Sequence, residues 1–452
     1  MSNIFHRSAK SVPPMASHAS GCTIVDQSGK RYLDACGGAA VSCIGHGDQD
    51  VVAAIREQAE KLAYAHTSFF TTDAAEELAA YLSTSTESRL PKVYFTSGGS
   101  EAAETALKMA HSYHRERGQP GRTHIIARRQ SYHGNTVGAL STGGNMWRRT
   151  AYEALMLPGI SHIDPCFYYR YAAPDESPEA YGRRMAVQLA EEIERIGADN
   201  VSCFIAETVV GATSGCVAAE EGYFKAIRAI CDRHGVLLIL DEVMCGMGRT
   251  GTLHAFEQEG IVPDILIIAK GLGAGYIPLG AVMCRDFVFE AFHKGSGAFI
   301  HGHTFVGHPV ACAAALATQN VIREKNLVDA SARQGRVLLE RLAEVFRSHS
   351  HVGDIRGRGL FIGLELVEDR ATNVPFAPDV QLNARVKRAA MDIGLLIYPG
   401  GGTIDGRLGD HILLAPHYIL TEDEIETIVA RLAVAMDEAI TSARQQTSLS
   451  ES

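Results

Sequence analysis

The sequence predicts an α/β fold: a large domain with a mostly parallel central sheet covered by helices, and a smaller α+β domain built from the N- and C-terminal segments. Three observations carry that prediction. Short apolar runs alternate with helix-like segments through the middle of the chain: VYF at 93–95, HIIA at 124–127, VSCFIA at 201–206, VLLIL at 236–240 and ILIIA at 265–269. The runs are apolar throughout, as parallel strands buried on both faces by crossover helices should be. After about Gln319 the rhythm changes, and amphipathic segments at 326–346 and 422–439 bracket short strands at 359–366 and 412–414.

Taken in order, the first sixty residues read as part of the smaller domain. CTIVDQSGKRYLDACGG (22–38) is a hairpin pattern, with Ser28-Gly29 in the turn and Ile24, Val25, Tyr32 and Leu33 on its flanks. The large domain is expected over 61–318. Among its helices, GYFKAIRAICDRHG keeps Tyr223, Phe224, Ile227, Ile230 and Cys231 at helical spacing and offers Gly235 as a stop. The C-terminal small domain is expected over 319–444, followed by a polar tail, 445–452, expected to be disordered.

Composition narrows the function. With 452 residues the chain exceeds what a single core usually fills. Its 46% hydrophobic and 21% charged residues are ordinary for a globular protein, and its apolar runs fall far short of the ~20 residues of a membrane helix. The N-terminal stretch has no apolar core of the signal-peptide type, and the ten cysteines include no C-x-x-C, so a reducing, cytoplasmic location is expected and no metal is expected. A formal net charge of -10 argues against a surface that tracks nucleic acid, which needs clustered cations. Small-molecule chemistry is the remaining class.

LLILDEVMCGMGRTG (237–251) ends in a literal G-x-G-x-x-G. A dinucleotide site needs the first glycine directly after the strand, a helix opening at the glycines, and an acid after the next strand. Here Asp241 to Cys245 intervene, no helix opens, and Asp264 precedes the following strand. The pair Asp241-Glu242 capping an apolar strand is the more informative feature. Ligands of open parallel sheets bind outside the carboxyl ends of the strands. Asp241 stands at one such end and Lys270 at the next, where the two could also form a plain ion pair.

Two loops point beyond an ion pair. In FTSGGSEAAETALK (95–108) a short strand enters Ser97-Gly-Gly-Ser100 and an alanine-rich helix, a cradle that lets backbone N–H groups approach an anion; it lacks the Gly-Lys-Ser/Thr ending of a P-loop. The strand at 124–127 delivers Tyr132-His133-Gly134 to the same edge, where an aromatic ring can cover a flat cofactor. A phosphate site, an aromatic face, a carboxylate and a lysine together fit pyridoxal phosphate. In that reading Asp241 keeps the ring nitrogen protonated, and Lys270 forms the resting Schiff base and then moves a proton at the substrate carbon.

The order and wording of these motifs resemble the class III (omega-type) aminotransferases, which are pyridoxal phosphate enzymes of fold type I. GKRYLDACGGAAVSCIGHGDQDVVAAIREQ resembles the family's opening, FTSGGSEAAETALK its phosphate loop, SYHGNT its ring-stacking loop, LLILDEVMCGMGRTG its pyridinium strand, IIAKGLGAGYIPLGAVM its lysine segment and HGHTFVGHPVACAAALA the stretch that reaches across a dimer interface. The resemblance implies that Gly99 and Ser100 bind the phosphate, Tyr132 and Val243 sandwich the ring with His133 beside it, and Thr304 serves the neighbouring subunit of a homodimer. Glu207 matches an acid near the ring hydroxyl that gates substrate carboxylates, and Arg407 falls near the family's mobile arginine, allowing a one-residue gap. Thr208, His308 and His417 depart from the family pattern where a proline, an asparagine and a second proline are usual.

The implied activity is transfer of an amino group from a terminal amine or ω-amino acid to a keto acid such as pyruvate or 2-oxoglutarate. A racemase, aminomutase or dialkylglycine-type decarboxylase uses the same scaffold. A cofactor-binding module without catalysis is the rival of another class, and the presence of both Asp241 and Lys270 argues against it.

Overall fold

The computed structural model describes residues 2–450, with side chains of the last helix described to Gln445; the expected disordered tail, 445–452, lies almost wholly outside the described side chains. A seven-stranded sheet forms the centre. Its order is Lys92–Thr96, Gly280–Cys284, Ile265–Ile268, Leu237–Asp241, Val201–Glu207, His124–Arg128 and Ile160–Ile163. Every neighbouring pair is parallel except those of Gly280–Cys284, which runs against both its neighbours. The expected α/β architecture is present.

Alternation explains why these strands need to be apolar throughout. Successive side chains of a strand point to opposite faces. Leu238 and Leu240 enter one core with Tyr181, Leu189, Tyr223, Phe224 and Ile227 of the helices Pro178–Ile196 and Tyr223–His234. Leu237 and Ile239 enter the other, with Ala103, Ala106 and Tyr113 of Gly99–Glu116 and Phe292 of Asp286–Lys294. The helix Tyr223–His234 buries all five residues that its spacing nominated, and Gly235 closes it at φ +63°, a conformation that suits glycine.

The smaller sheet is antiparallel, ordered Val352–Arg358, Phe361–Leu366, Asp410–Leu414 and Tyr398–Gly401. Helices Leu327–Phe346, Leu382–Asp392 and Glu422–Ser450 accompany it. The N-terminal strands Ala16–Ser20, Thr23–Asp26 and Arg31–Asp34 form a meander whose fourth strand, Leu395–Leu396, comes from the C-terminal part of the chain. The boundary expected at 318/319 falls inside the helix Pro309–Glu324, because its apolar face continues past that point. Gln319 is buried there and donates to the carbonyls of Gly271 and Leu272, tying this helix to the lysine segment. Among the described residues no helix is long and apolar enough to cross a membrane.

Candidate active site

Sheet register brings the nominated acids together. Asp241 lies directly opposite Glu207 on one side and Ile267 on the other, and the chain from Ile267 leaves the sheet three residues later at Lys270. Asp241, Glu207 and Lys270 therefore share the carboxyl edge of three adjacent strands. Lys270 has φ +46°, in the left-handed region that non-glycine residues rarely enter. Such strain persists only where the surroundings impose it; here Lys270 and Gly273–Ala274 form a tight turn, with Ala274 N–H donating to the Lys270 carbonyl.

The bare ion pair is ruled out among the described residues: Lys270 has neither a salt bridge nor a hydrogen bond from its ammonium group. Burial lowers its pKa to about 8; the carboxylates of Asp241 and Glu207 oppose that shift, and the charge of Arg148 adds to it. The result is an unpartnered amine that near physiological pH spends far more of its time in the neutral form than an ordinary lysine does. That is the state a carbonyl-attacking lysine requires.

Asp241 is buried and held from two sides. His133 Nδ1 lies 2.8 Å from its Oδ2, and Val243 N donates to Oδ1 at 3.0 Å. Because the carboxylate only accepts, His133 carries its proton on Nδ1, which leaves the buried Nε2 without a protein partner. Glu207 is held by the backbone: Oε1 accepts from Tyr132 N and Oε2 from Gly211 N, both at 3.0 Å. Its pKa is raised, chiefly by burial and further by Asp241. In this geometry Glu207 fixes the backbone that carries Tyr132.

The phosphate cradle is built from close approach. A Cβ on Gly99 would meet Val243 Cγ1 at 2.9 Å, and one on Gly134, at φ +135°, would meet Ser100 Oγ at 2.7 Å. Asn135 N donates to Ser100 Oγ at 3.1 Å, which clamps the Tyr132 loop onto the start of the helix Gly99–Glu116. The first-turn N–H groups of Gly99 and Ser100 have no acceptor among the described residues, and they sit at the positive end of an 18-residue helix dipole. Four features thus fit pyridoxal phosphate: free first-turn donors for its phosphate, Tyr132 and Val243 for its ring faces, a buried carboxylate for its ring nitrogen and an unpaired lysine for its aldehyde.

Among the described residues Thr304 and Arg407 make no side-chain hydrogen bond or ion pair with this cluster. Thr304 is exposed, and its carbonyl accepts from Tyr64 Oη at 2.8 Å. Arg407 is exposed on the loop after Tyr398–Gly401, where its N–H donates to Asp405 Oδ1 at 2.8 Å. The three departures from the family pattern have local partners. Thr208 Oγ1 donates to Glu242 Oε1 at 3.0 Å, and Glu242 also accepts from Ala255 N and Phe256 N, so the second acid of the Asp241-Glu242 pair serves the loop. His308 lies beside Tyr64 and Phe305, with ring centroids 6.0 Å away in each case. His417 Nε2 is 3.1 Å from Ser42 Oγ, and its ligand-type atoms lie within 4.8 Å of those of Asp34 and His46.

The segment Met146–Arg148 is one of the loops on which donor choice is expected to depend, and an arginine beside Trp147 is the sequence's alternative to Arg407; the guanidinium of Arg148 lies 4.6 Å from the centre of the Tyr132 ring. Volume does not mark this site: a cleft of about 480 Å³ lies elsewhere, between Phe167, Glu220, Lys225 and Arg356, away from Lys270.

The family model for aminotransferase class-III matches residues 4–436. An uncharacterized aminotransferase of Schizosaccharomyces pombe is 45% identical over 430 residues, covering 95% of this chain and 94% of the relative. Among solved structures, an amine transaminase from an uncultivated Pseudomonas species, in its PLP-bound form, is 36% identical with a TM-score of 0.90, covering 97% of this chain and 98% of the other. An (S)-enantioselective omega-transaminase from Thermomicrobium roseum is 35% identical with a TM-score of 0.89, covering 95% and 93%.

Proposed function

The chain belongs to the class III aminotransferases and uses pyridoxal phosphate, and on that footing we propose that it moves an amino group from a terminal amine or ω-amino acid to a keto acid such as pyruvate or 2-oxoglutarate. The observation that carries this reading is the unpaired, neutral-prone Lys270 beside a buried Asp241 that His133 orients. When bound, the cofactor supplies an electron sink for the carbanion formed at the substrate's amino-bearing carbon.

The remaining work falls to the chain's own groups. Lys270 would hold the cofactor through its aldehyde and would carry the proton at the substrate's amino-bearing carbon. Asp241 keeps the ring nitrogen protonated, while His133 fixes the carboxylate's orientation. Tyr132 and Val243 hold the two ring faces, Gly99 and Ser100 hold the phosphate, and Glu207 positions Tyr132. Arg407, on a loop with glycines at 400–402, 406 and 409, swings in to pair with a keto acid and out to admit an amine. The ten buried free cysteines are consistent with a reducing, cytoplasmic setting.

A spectral screen tests the reaction. Mixing the holoenzyme with a panel of amines should convert the aldehyde form of the cofactor to its amine form, and pyruvate or 2-oxoglutarate should reverse the change. Arg407→Ala should lower the rate of that reversal relative to the forward step. Turnover of a single amino compound without an acceptor would instead identify a racemase, mutase or decarboxylase.

The exposed Thr304 belongs, in this reading, to the neighbouring active site of a homodimer. Mixing Thr304→Ala subunits, which keep Lys270, with Lys270→Ala subunits, which keep Thr304, then produces hybrid dimers with one intact site. Activity per intact lysine is expected to rise on mixing. A flat response would place Thr304 in the site of its own chain.

A further inference from the structure

His417, which departs from the family pattern, completes a cluster that the reaction does not use. Asp34 ends the strand Arg31–Asp34, His46 lies in the loop before the helix Gln49–Lys61, and His417 follows the strand Asp410–Leu414. Backbone bonds join the two ends of the chain here: Ala415 N donates to the Ala35 carbonyl at 2.9 Å, and Tyr418 N to the Cys43 carbonyl at 2.7 Å. Those bonds bring the three side chains together. One oxygen of Asp34 and one ring nitrogen of each histidine all lie within 4.8 Å of one another.

A buried polar cluster normally satisfies itself, and this one does so only in part. Asp34 Oδ1 accepts from Cys36 N at 3.0 Å, and His417 Nε2 has Ser42 Oγ at 3.1 Å. Asp34 Oδ2, however, is 4.0 Å from His417 Nε2, too long for a hydrogen bond. The rings of His46 and His417 meet edge-on, their centroids 5.3 Å apart and their planes at 69°. His417 is fully buried, yet its Nδ1 has no partner among the described residues, and neither has the buried Nε2 of His46. Two imidazoles and a carboxylate are the donors of three-ligand zinc sites, which leave a fourth position to water. Tetrahedral zinc, with bonds of ~2.0–2.1 Å, sets its ligand atoms roughly 3.3 Å apart, so each pair here closes by at most about 1.5 Å, shared between two side chains. The charge is also suitable. Arg249 lies nearby, donating to the carbonyls of Ser42, Leu360 and Pro416, and the Asp34 carboxylate supplies the anion that a second cation needs there.

We propose that Asp34, His46 and His417 form a zinc-binding site that staples the N-terminal meander to the C-terminal part of the chain. The ion takes no part in moving the amino group: none of its three ligands bonds to Lys270, Asp241 or Glu207 among the described residues. Its place is one layer behind. Tyr276 Oη donates to the Gly45 carbonyl at 3.0 Å and accepts from Asp48 N at 2.7 Å, so the segment that His46 anchors also supports the chain leaving Lys270. The sequence shows no metal motif because the ligands come from opposite ends of the chain, and only the meeting of those ends assembles them.

The test uses the metal alone, on holoenzyme that has been treated with a chelator and dialysed. Titrated with Zn²⁺, wild type should bind one ion per chain. In His417→Pro the dissociation constant should rise at least ~100-fold, since losing a ligand exceeds the 10–100-fold typical of changes behind the ligands. That variant restores the family's usual residue, and His417 N donates no hydrogen bond among the described residues that a proline would remove. His46→Gln, at a half-buried position, should weaken binding in the same way. Saturating Zn²⁺ should raise the melting temperature of wild type and leave both variants unmoved, because an ion bound only by the folded state stabilises it. Co²⁺ in place of zinc should give wild type the visible bands of a four-coordinate nitrogen–oxygen site, and Zn²⁺ should abolish them. Equal Zn²⁺ affinity in wild type and both variants would put the ion elsewhere and overturn the proposal. So would a wild type that binds no ion or shows no cobalt bands, a result that stands even where a variant fails to fold. None of these readouts depends on which amine the enzyme converts.

Discussion

Lys270→Ala is expected to abolish turnover, by at least ~10³-fold, and to remove the lysine-linked absorption band of the holoenzyme. The magnitude follows from the two tasks assigned to one amine. It attaches the cofactor, and it moves the proton. No neighbouring lysine reaches this strand end: the next in the chain is Lys294, on the helix Asp286–Lys294. The variant should fold, since Lys270 makes no side-chain hydrogen bond among the described residues whose loss could destabilise the turn. Circular dichroism and a thermal melt check that. A variant that kept the band and near-normal rates would end the assignment.

The same lysine sets a pH dependence in the wild type. Its amine attacks only when neutral, and burial has lowered its pKa to about 8. When cofactor is added to the cofactor-free protein, the rate of band formation should therefore rise with pH through a midpoint near 8, well below the ~10.4 of an ordinary lysine. For stability the sign is the reverse. A base whose folded pKa is depressed burdens the cofactor-free fold as pH falls through the unfolded value, and the burden is complete below the folded one.

Asp241→Asn should preserve the fold and slow proton removal from the substrate carbon by orders of magnitude. An asparagine oxygen can still accept from Val243 N, and its amide nitrogen can donate to His133 Nδ1 once the neutral imidazole carries its proton on Nε2. What it cannot do is hold a charged ring nitrogen. At an effective dielectric near 20 a contact ion pair is worth roughly 4 kcal/mol, or about three pKa units of bias. The carboxylate also raises the pKa of Lys270. Removing it should therefore shift the midpoint of band formation to lower pH even as turnover collapses. Wild-type rates with an unmoved midpoint would reduce Asp241 to a structural acid.

These two residues were legible before any coordinates because their signals are local. An apolar run that ends in Asp241, and another that ends at Lys270, is written in consecutive residues, and strand alternation converts both into ends of one sheet. The helix Tyr223–His234 was legible for the same reason, with its buried stripe and closing glycine lying inside fourteen residues of sequence, 222–235. The phosphate cradle was legible as small residues before an alanine-rich helix.

What only the tertiary structure decided depends on groups distant in the chain. His133 and Asp241 are 108 positions apart, and their hydrogen bond requires the register that sets Leu237–Asp241 beside Val201–Glu207 and that strand beside His124–Arg128. Glu207 carries no sequence mark to say that its oxygens are taken by the N–H groups of Tyr132 and Gly211. Along the chain Arg148 is only a cation beside Trp147; its place over the Tyr132 ring depends on the turn that Gln130 and Asn145 fix. Periodicity follows from the geometry of one element and is readable along the chain. Charge pairing, or its absence at Lys270 and Arg148, depends on which elements pack together, and the spacing of residues along a single chain does not record that.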